Sequence, residues 1–552
     1  MVSKRSYILP LTVLSVFLLG CSPESDLEIS VDGVFAHMDS GAEPGCACSV
    51  NQNGELVYSN GFGMANLEYD VPIGHSTIFH VASVSKQFTA MAIELLVNDG
   101  LVSWDDDVRK YVPEVPDFGT PVTLRHLVHH VSGIRDQWNL LYMAGWRWEA
   151  DVVTQKDVLD ITSRQTSLNF EPGERFLYSN TGYTLLAVVV ERQTGQSLRE
   201  FCRERLFEPL GMSNTHFHDD HEMIVPNRAW GYAPDQEGYL GYRASIPDFD
   251  VVGATSLFTT VDDMSRWDKN FYTMEVGGED AYNRLHDKIT LANGDTLDYM
   301  HGLGESEYRG VKMQGHGGAD AGYRSYFLRF PDHNLTVTVL CNFSSSNPGQ
   351  LAQEVAEIYL EEYMEAPSEG EVAEIESTPA GNLDNLAGFY VHPLSKAAYE
   401  IKLENDTLVF QADQPYKLIQ TGENEFVLDG TTTTLELIAG DGSESTARFL
   451  PDDEPHYRKD SWTPEPKELA EFEGRFYSSE LDTKYHFELM DSSLMFHHRK
   501  KESDTMQPLY QNAFRLDGAT VHFGEDLTTF TLSDERIWNV KFEKIPGIAV
   551  NE

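Results

Sequence analysis

Positive charge is scarce in this chain: 41 lysines and arginines stand against 88 aspartates and glutamates, a formal net charge of −47 over 552 residues. So acidic a surface excludes binding nucleic acid through its phosphates, which takes lysine and arginine to displace counterions. It also disfavours electrostatic adhesion to anionic lipid. It suits solubility in a saline habitat, or the drawing of cationic substrates toward a site. Cysteine is scarce as well, with five residues, too few for a disulfide scaffold. Cys46 and Cys48 alternate in a strand-like run, so their thiols share a face and cannot easily bridge each other. No second pair has the spacing of a metal site. Buried free thiols are expected, and a bridge to Cys341 is left open. The apolar run Ile8–Leu19 is too short to span a bilayer comfortably. What is present, 41% apolar residues with 42 glycines and 24 prolines, describes a globular protein and not a disordered one. The length exceeds the roughly 250–300 residues at which a single core stops growing, so two or three domains are expected.

Lys4 and Arg5 precede that apolar run, which closes on Leu18-Leu19-Gly20-Cys21. The pattern resembles a bacterial lipobox, in which the cysteine is acylated and becomes the new N-terminus. Residues 1–20 therefore read as a lipoprotein signal peptide, Cys21 as the lipidation site and 21–30 as a tether. By the same analogy, Ser22 after the cysteine favours the periplasm-facing outer membrane of a Gram-negative cell. From residue 31 a helix is followed by a hairpin, Cys46–Val50 and Glu55–Tyr58 flanking the turn Asn53-Gly54. A helix-rich middle runs from about Trp104 to Leu210, and strands return at Tyr323–Phe330 and Leu335–Cys341. Strands at both ends with helices between predict one sheet built from both termini, closed by a helix over Leu351–Tyr363. An acidic linker spans 366–382. Beyond it the pattern Gly388…Tyr399, Leu408, Phe410 recurs as Gly474…Tyr485, Leu494, Phe496, with offsets of 11, 20 and 22 residues. Two small all-β, barrel-like repeats are therefore expected at 383–464 and 465–548.

Three stretches carry chemistry. Ser83-Val84-Ser85-Lys86 opens a helix whose apolar face is Phe88, Met91, Ala92, Leu95 and Leu96. Residues three apart share a helix face, so Lys86 reaches the Ser83 hydroxyl, and an uncharged amine in a dry pocket can take its proton. Tyr178-Ser179-Asn180 stands where a loop enters an apolar helix. A phenol held near an ammonium loses its proton below its reference pKa of roughly 10 and acts as a base. Asn180 offers an amide to a substrate carbonyl. His316-Gly317-Gly318-Ala319 precedes a strand, and glycines on an edge strand let a ligand backbone approach. A backbone N–H there, with that of Ser83, makes an oxyanion hole. Arg324 lies on the next strand, and Trp138, Trp146 and Trp148 wall a cleft or fill a helical core. His216, His218, Asp219, Asp220 and His221 have ligand chemistry, but no metal or other cofactor is expected.

In this order the three motifs resemble the penicillin-recognising serine hydrolases, a superfamily of class C β-lactamases, D-Ala-D-Ala carboxypeptidases, D-aminopeptidases and related esterases. The resemblance covers about residues 31–365, including the stretch Leu124–Gly133. It implies an α/β (α+β) domain with an antiparallel sheet and a helical insertion, the site between them. It implies Ser83 as nucleophile, and Lys86 and Tyr178 as the groups that share the base and proton-shuttle work. Asn180, His316, Gly317 and Gly318 bind substrate, and the amides of Ser83 and Ala319 hold the oxyanion. The two trailing repeats resemble the small barrels that follow the hydrolase domain in D-aminopeptidases. The implied function is acyl-enzyme hydrolysis of an amide or ester, in a small-molecule or short-peptide substrate, by a D-amino-acid peptidase, carboxypeptidase or esterase. The alternatives are a β-lactamase, or a sensor of β-lactams or peptidoglycan fragments without turnover. Class C β-lactamases carry lysine where His316 stands, and a neutral imidazole there disfavours β-lactam hydrolysis.

Overall fold

The computed structural model describes residues 23–546 apart from 39–40, 149, 367–382, 413–414, 430, 432, 441–443 and 451–453. The expected signal peptide, Cys21 and nearly all of the expected acidic linker lie outside the described residues.

Asn53 and Gly54 take positive φ values of 54° and 74°, the backbone that a two-residue hairpin demands. They join β1 (Cys46–Gln52) to β2 (Glu55–Phe62). Four later strands, β3 (Gly304–Tyr308), β4 (Val311–Asp320), β5 (Tyr323–Phe330) and β6 (Leu335–Cys341), complete one antiparallel sheet in the order β3-β4-β5-β6-β1-β2. Both termini of the domain thus build a single sheet, as the strand pattern predicts. All seven residues of β6 are buried, because helices cover both faces. The expected tether is helical from Pro23: α1 (Pro23–Phe35) packs on one face beside the closing helix, and Val31 and Phe35 join the core below Cys48, Val337 and Val339. Burial of those two side chains holds α1 against the sheet, where the expectation for 21–30 was a tether.

The expectation of free thiols is half corrected. Cys46 and Cys341 face each other across β1 and β6, with Cα atoms 4.0 Å apart, and form a disulfide. Cys48 and Cys202 are free and buried.

The helical insertion rests on α2 (Lys86–Asn98), α3 (Gln137–Met143), α4 (Gln155–Ser163) and α5 (Asn180–Thr194). The first eleven residues of α5 are all buried, which explains its apolar run. It ends at Gly195, whose φ of 74° suits glycine. A further helix, α6 (Val261–Thr273), covers the sheet face opposite α1, and α7 (Pro348–Leu360) is the closing helix.

The repeats fold alike. Gly388 and Gly474, the residues that anchor the repeat, share φ values of 148° and 149°. In each case an added Cβ would strike a long basic side chain, Arg458 or Lys544. The first unit is a closed barrel of eight strands, from Gly388–Val391 to His456–Lys459. The second is a nine-stranded sheet whose end strands, Asp504–Thr505 and Gln507–Pro508, are separated by one residue in the chain, so it nearly closes. Its last hairpin is β7 (Thr529–Asp534) and β8 (Ile537–Ile545).

This second unit is not a separate bead. Its core aromatics pack in one cluster with Leu140, Leu141, Val158 and Ile161 of the helical insertion. A buried ion pair pins the junction: Arg135 Nη1 lies 3.1 Å from Glu480 Oε1, their side chains only 1% and 3% exposed. The same guanidinium donates to Trp538 O through Nε and Nη2, at 3.2 and 2.8 Å, and to the carbonyl and hydroxyl of Ser167.

Candidate active site

The tight turn Ala82–Ser85 delivers Ser83 to the head of α2. Ala82 has a φ of 47°, an unfavourable conformation for a residue with a Cβ, which presents the next side chain at a sharp corner. One helical turn on, Lys86 is fully buried. Its Nζ lies 3.0 Å from Ser83 Oγ, 2.9 Å from Asn180 Oδ1 and 2.7 Å from Ala254 O. Burial pushes this amine down to about 7, against smaller opposing pulls from Asp320 and Asp136. An uncharged amine has two hydrogens and one lone pair. The two hydrogens suit the pure acceptors Asn180 Oδ1 and Ala254 O, and the lone pair is left for the Ser83 hydroxyl proton.

Asn180, the first residue of α5, is itself held from behind. Its backbone N–H and its Nδ2 both donate to Asp136 Oδ2, at 2.7 and 2.8 Å. Asn180 therefore serves first to fix Lys86, with one amide hydrogen remaining for a substrate. Asp136 was not identified from the sequence. It lies 44 residues from Asn180, and its only local signature is that of an N-cap for α3.

The reading of Tyr178 as a phenolate base is corrected. Burial raises its pKa, and the neighbouring Ser83 and Arg536 do not reverse this. Lys86 Nζ stands over the ring, 4.8 Å from the centroid, and burial has already brought its own pKa down to about 7, so above that pH no ammonium is left to stabilise a phenolate. The phenol keeps its proton, and among the described residues its hydroxyl makes no hydrogen bond. It is a proton donor in waiting.

His316 lines the same wall, its ring 6.2 Å from that of Tyr178. Burial, reinforced by Lys86, lowers its pKa to about 4. Its neutrality follows from a continuous chain of hydrogen bonds as well. Ser179 N–H donates to His130 Nδ1 at 3.1 Å, so His130 carries its proton on Nε2 and gives it to Tyr299 Oη at 3.2 Å. Tyr299 then donates to His316 Nε2 at 3.1 Å, and His316 Nδ1–H faces Gly317 O at 2.6 Å. Both nitrogens of His316 are spent, which leaves it no charge and no donor for a substrate.

Pairing of β3 with β4 stops at Gly315, while β5 continues alongside through Asp320. The outer edge of 316–320 is thereby open toward the Ser83 turn, as an oxyanion strand requires. Gly318 is glycine for a reason other than ligand approach. A Cβ there would lie 2.3 Å from Val81 O and 2.4 Å from Ser325 Oγ, so the strand could not cross beneath the nucleophile's turn. Arg324 stands directly opposite Ala319 across β4 and β5.

The second β unit also reaches the site. The tip between β7 and β8 places the Arg536 guanidinium 5.1 Å from the Tyr178 ring centroid. Its backbone carbonyl accepts from Asn169 Nδ2 at 3.0 Å and from Asp136 N at 3.4 Å. The other candidate ligands divide: His216 and His218 pack against Phe258, and burial lowers both to about 4, while Asp220 and His221 lie with Asp250, their ligand atoms within 4.8 Å of one another.

Such a sheet and helical insertion, with Ser-x-x-Lys, Tyr-x-Asn and His-x-Gly meeting at one hydroxyl, define the penicillin-recognising serine hydrolases. The family model described as Beta-lactamase matches residues 32–359, and the chain belongs to that family. It is 31% identical over 312 residues to "Penicillin-binding protein 4*" of Bacillus subtilis, covering 53% of this chain and 66% of that protein. It is 29% identical over 313 residues to a D-aminopeptidase of Gluconobacter oxydans, covering 57% of this chain and 58% of that one. The matches thus span less than two thirds of these relatives' length. In three dimensions it is similar to the octameric penicillin-binding protein homologue from Pyrococcus abyssi, with a TM-score of 0.54 and 23% identity over 87% of this chain and all of that one.

Proposed function

We propose that this protein is a serine hydrolase that cleaves an amide or ester through an acyl-enzyme on Ser83. The observation that carries the reading is the buried Lys86 amine 3.0 Å from Ser83 Oγ, its pKa brought down to about 7 by burial. In acylation the Ser83 Oγ–carbonyl bond forms as the hydroxyl proton passes to Lys86 Nζ. The backbone N–H groups of Ser83 and Ala319 receive the negative charge on the carbonyl oxygen. The bond to the leaving group then breaks; Tyr178 gives that group its proton and is refilled from Lys86. Water repeats the sequence in reverse roles and frees the acid. Relatives named as a penicillin-binding protein and a D-aminopeptidase support a D-amino-acid peptide, or a related ester, as the substrate class. The Arg536 tip bounds the cleft beside Tyr178 and favours short substrates. The lipidated Cys21 and an outer-membrane, periplasm-facing location remain part of the proposal.

The test is labelling with a fluorescent fluorophosphonate. Wild type is expected to label, and Ser83→Ala is not; an unlabelled wild type overturns the reading. Labelling without turnover of D-aminoacyl amides, D-Ala-D-Ala peptides or short esters would instead favour the sensor. Because His316 has neither charge nor donor to hold a substrate carboxylate, turnover of a short ester or D-peptide is expected to exceed that of a cephalosporin by at least tenfold. A steady-state comparison of kcat/KM checks this.

A further inference from the structure

We infer that the large cavity beside Ala319 receives the acyl portion of the substrate and selects one that carries a carboxylate, read by Arg228 and Arg324. The inference rests on the acyl-transfer reading above and adds the chemistry of the acyl group. The cavity holds about 960 Å³, ample for a drug-sized group. Trp138, Trp148 and Phe249 form an aromatic wall, and Arg228 and Arg324 stand among the residues that complete the lining with Ala319. Ala319 carries the proposed oxyanion N–H, and Arg324 is its register partner on β5. Ala319 thus lies both on the strand beside the nucleophile's turn and at the border of this cavity, and the acyl group of a substrate held at Ser83 extends past it into the cavity.

The charge is the unusual feature. Basic residues are outnumbered 41 to 88 in the whole chain, yet two arginines here have no carboxylate in ion-pair contact among the described residues. Arg324 Nη1 donates to Ala321 O and Tyr323 O, at 3.1 and 2.7 Å. These bonds fix the head of the side chain without neutralising it. The Arg228 guanidinium stands 6.0 Å from the Phe258 ring centroid. Arg243 lines the cavity as well, but the inference does not need it. Two acidic groups, Asp248 and Asp320, share the lining. Asp320 accepts from Thr255 Oγ1, is lifted by burial to about 6, and feels Lys86 and Arg324 through space, with no ion-pair contact to Arg324. Asp248 adds to the field that, with the Asp250 hydrogen bond, raises His221. A half-buried guanidinium with no carboxylate in contact carries a desolvation cost that a bidentate carboxylate repays.

The experiment compares two p-nitrophenyl esters that differ only at the far end of the acyl group: 4-carboxyphenylacetate and its uncharged isostere, 4-carbamoylphenylacetate. Wild type is expected to prefer the carboxylate ester by about tenfold or more in kcat/KM, because a site built for an anion rejects the neutral analogue. That ratio should shrink as salt is raised. It should fall to within about twofold in Arg228→Gln/Arg324→Gln and persist in Arg228→Lys/Arg324→Lys. Reading the ratio within each variant cancels any general loss of folded enzyme. Free 4-carboxyphenylacetate should also slow fluorophosphonate labelling of Ser83 more than 4-carbamoylphenylacetate does. Equal turnover of the two esters, a preference that survives the double glutamine variant, or a preference for the 4-(aminomethyl)phenylacetyl ester overturns the inference. Each of these outcomes leaves Ser83 labelling intact, so they are distinct from failure of the hydrolase reading itself.

Discussion

Replacing Lys86 with alanine is expected to lower the rate of Ser83 acylation by about 10²–10⁴-fold, the range for loss of a positioned proton acceptor. The reason is stoichiometric as much as geometric. Among the described residues, Lys86 Nζ is the only basic group given a hydrogen bond to Ser83 Oγ. The neighbouring Tyr178 keeps its proton because burial raises its pKa, and it cannot substitute. Lys86→Arg should not rescue, since a guanidinium stays protonated throughout the working pH range. The pH profile gives an independent readout. The reactive species is the free amine, so wild-type kcat/KM should rise with pH on its acid limb and level off above about 7, where the buried lysine has lost its proton. Below that, each pH unit should cost about tenfold. Lys86→Ala should lose the inflection. A wild-type profile flat from pH 5 to 9 would show that another group accepts the proton.

Glu480→Ala is expected to destabilise the protein by about 3–5 kcal/mol, as removal of one member of a buried ion pair does. Arg135 is only 1% exposed, so its guanidinium would be left without countercharge in a dry interface. The effect should reach the site, although Asn180 lies 300 residues from Glu480 in sequence. Arg135 O accepts from Thr181 Oγ1 at 2.7 Å, and the next residue, Asp136, holds Asn180 and with it Lys86. Urea unfolding should report the lost stability, and limited proteolysis should find the second β unit loosened. Arg135→Met combined with Glu480→Ala should recover much of the loss, because both charges are then gone. A single-variant cost within 1 kcal/mol of wild type would mean that the junction is held by the shared apolar core alone.

Much of the site was legible before folding. The spacing of Ser83 and Lys86 is one helical turn, and local geometry carries that directly into a hydrogen bond. The sheet was legible too, because alternating and continuously apolar runs mark strands, and Asn53-Gly54 marks a hairpin by its backbone demand. The two β units declared themselves through repeated offsets. Tyr178, Asn180 and His316 were legible only through the resemblance, since a lone Tyr-Ser-Asn or His-Gly-Gly has ordinary structural uses. What escaped is instructive. Asp136, Tyr299, the Ala254 carbonyl and Arg536 carry no local pattern that separates them from caps, core tyrosines and loop arginines.

The amino-acid sequence by itself determined which segments become strands and helices, that a hydroxyl and an amine share a helix face, and that the chain carries two like β units. These properties depend on periodicity and on backbone preference, which act over a few residues. Only the tertiary structure decided the states of the groups that do chemistry. Lys86 is brought within reach of losing its proton near neutral pH, Tyr178 keeps its proton, His316 is spent in hydrogen bonds and Cys46 is bonded to Cys341, because distant segments bury or face them. Burial and long-range pairing are properties of the packed chain, and no neighbour in sequence encodes them.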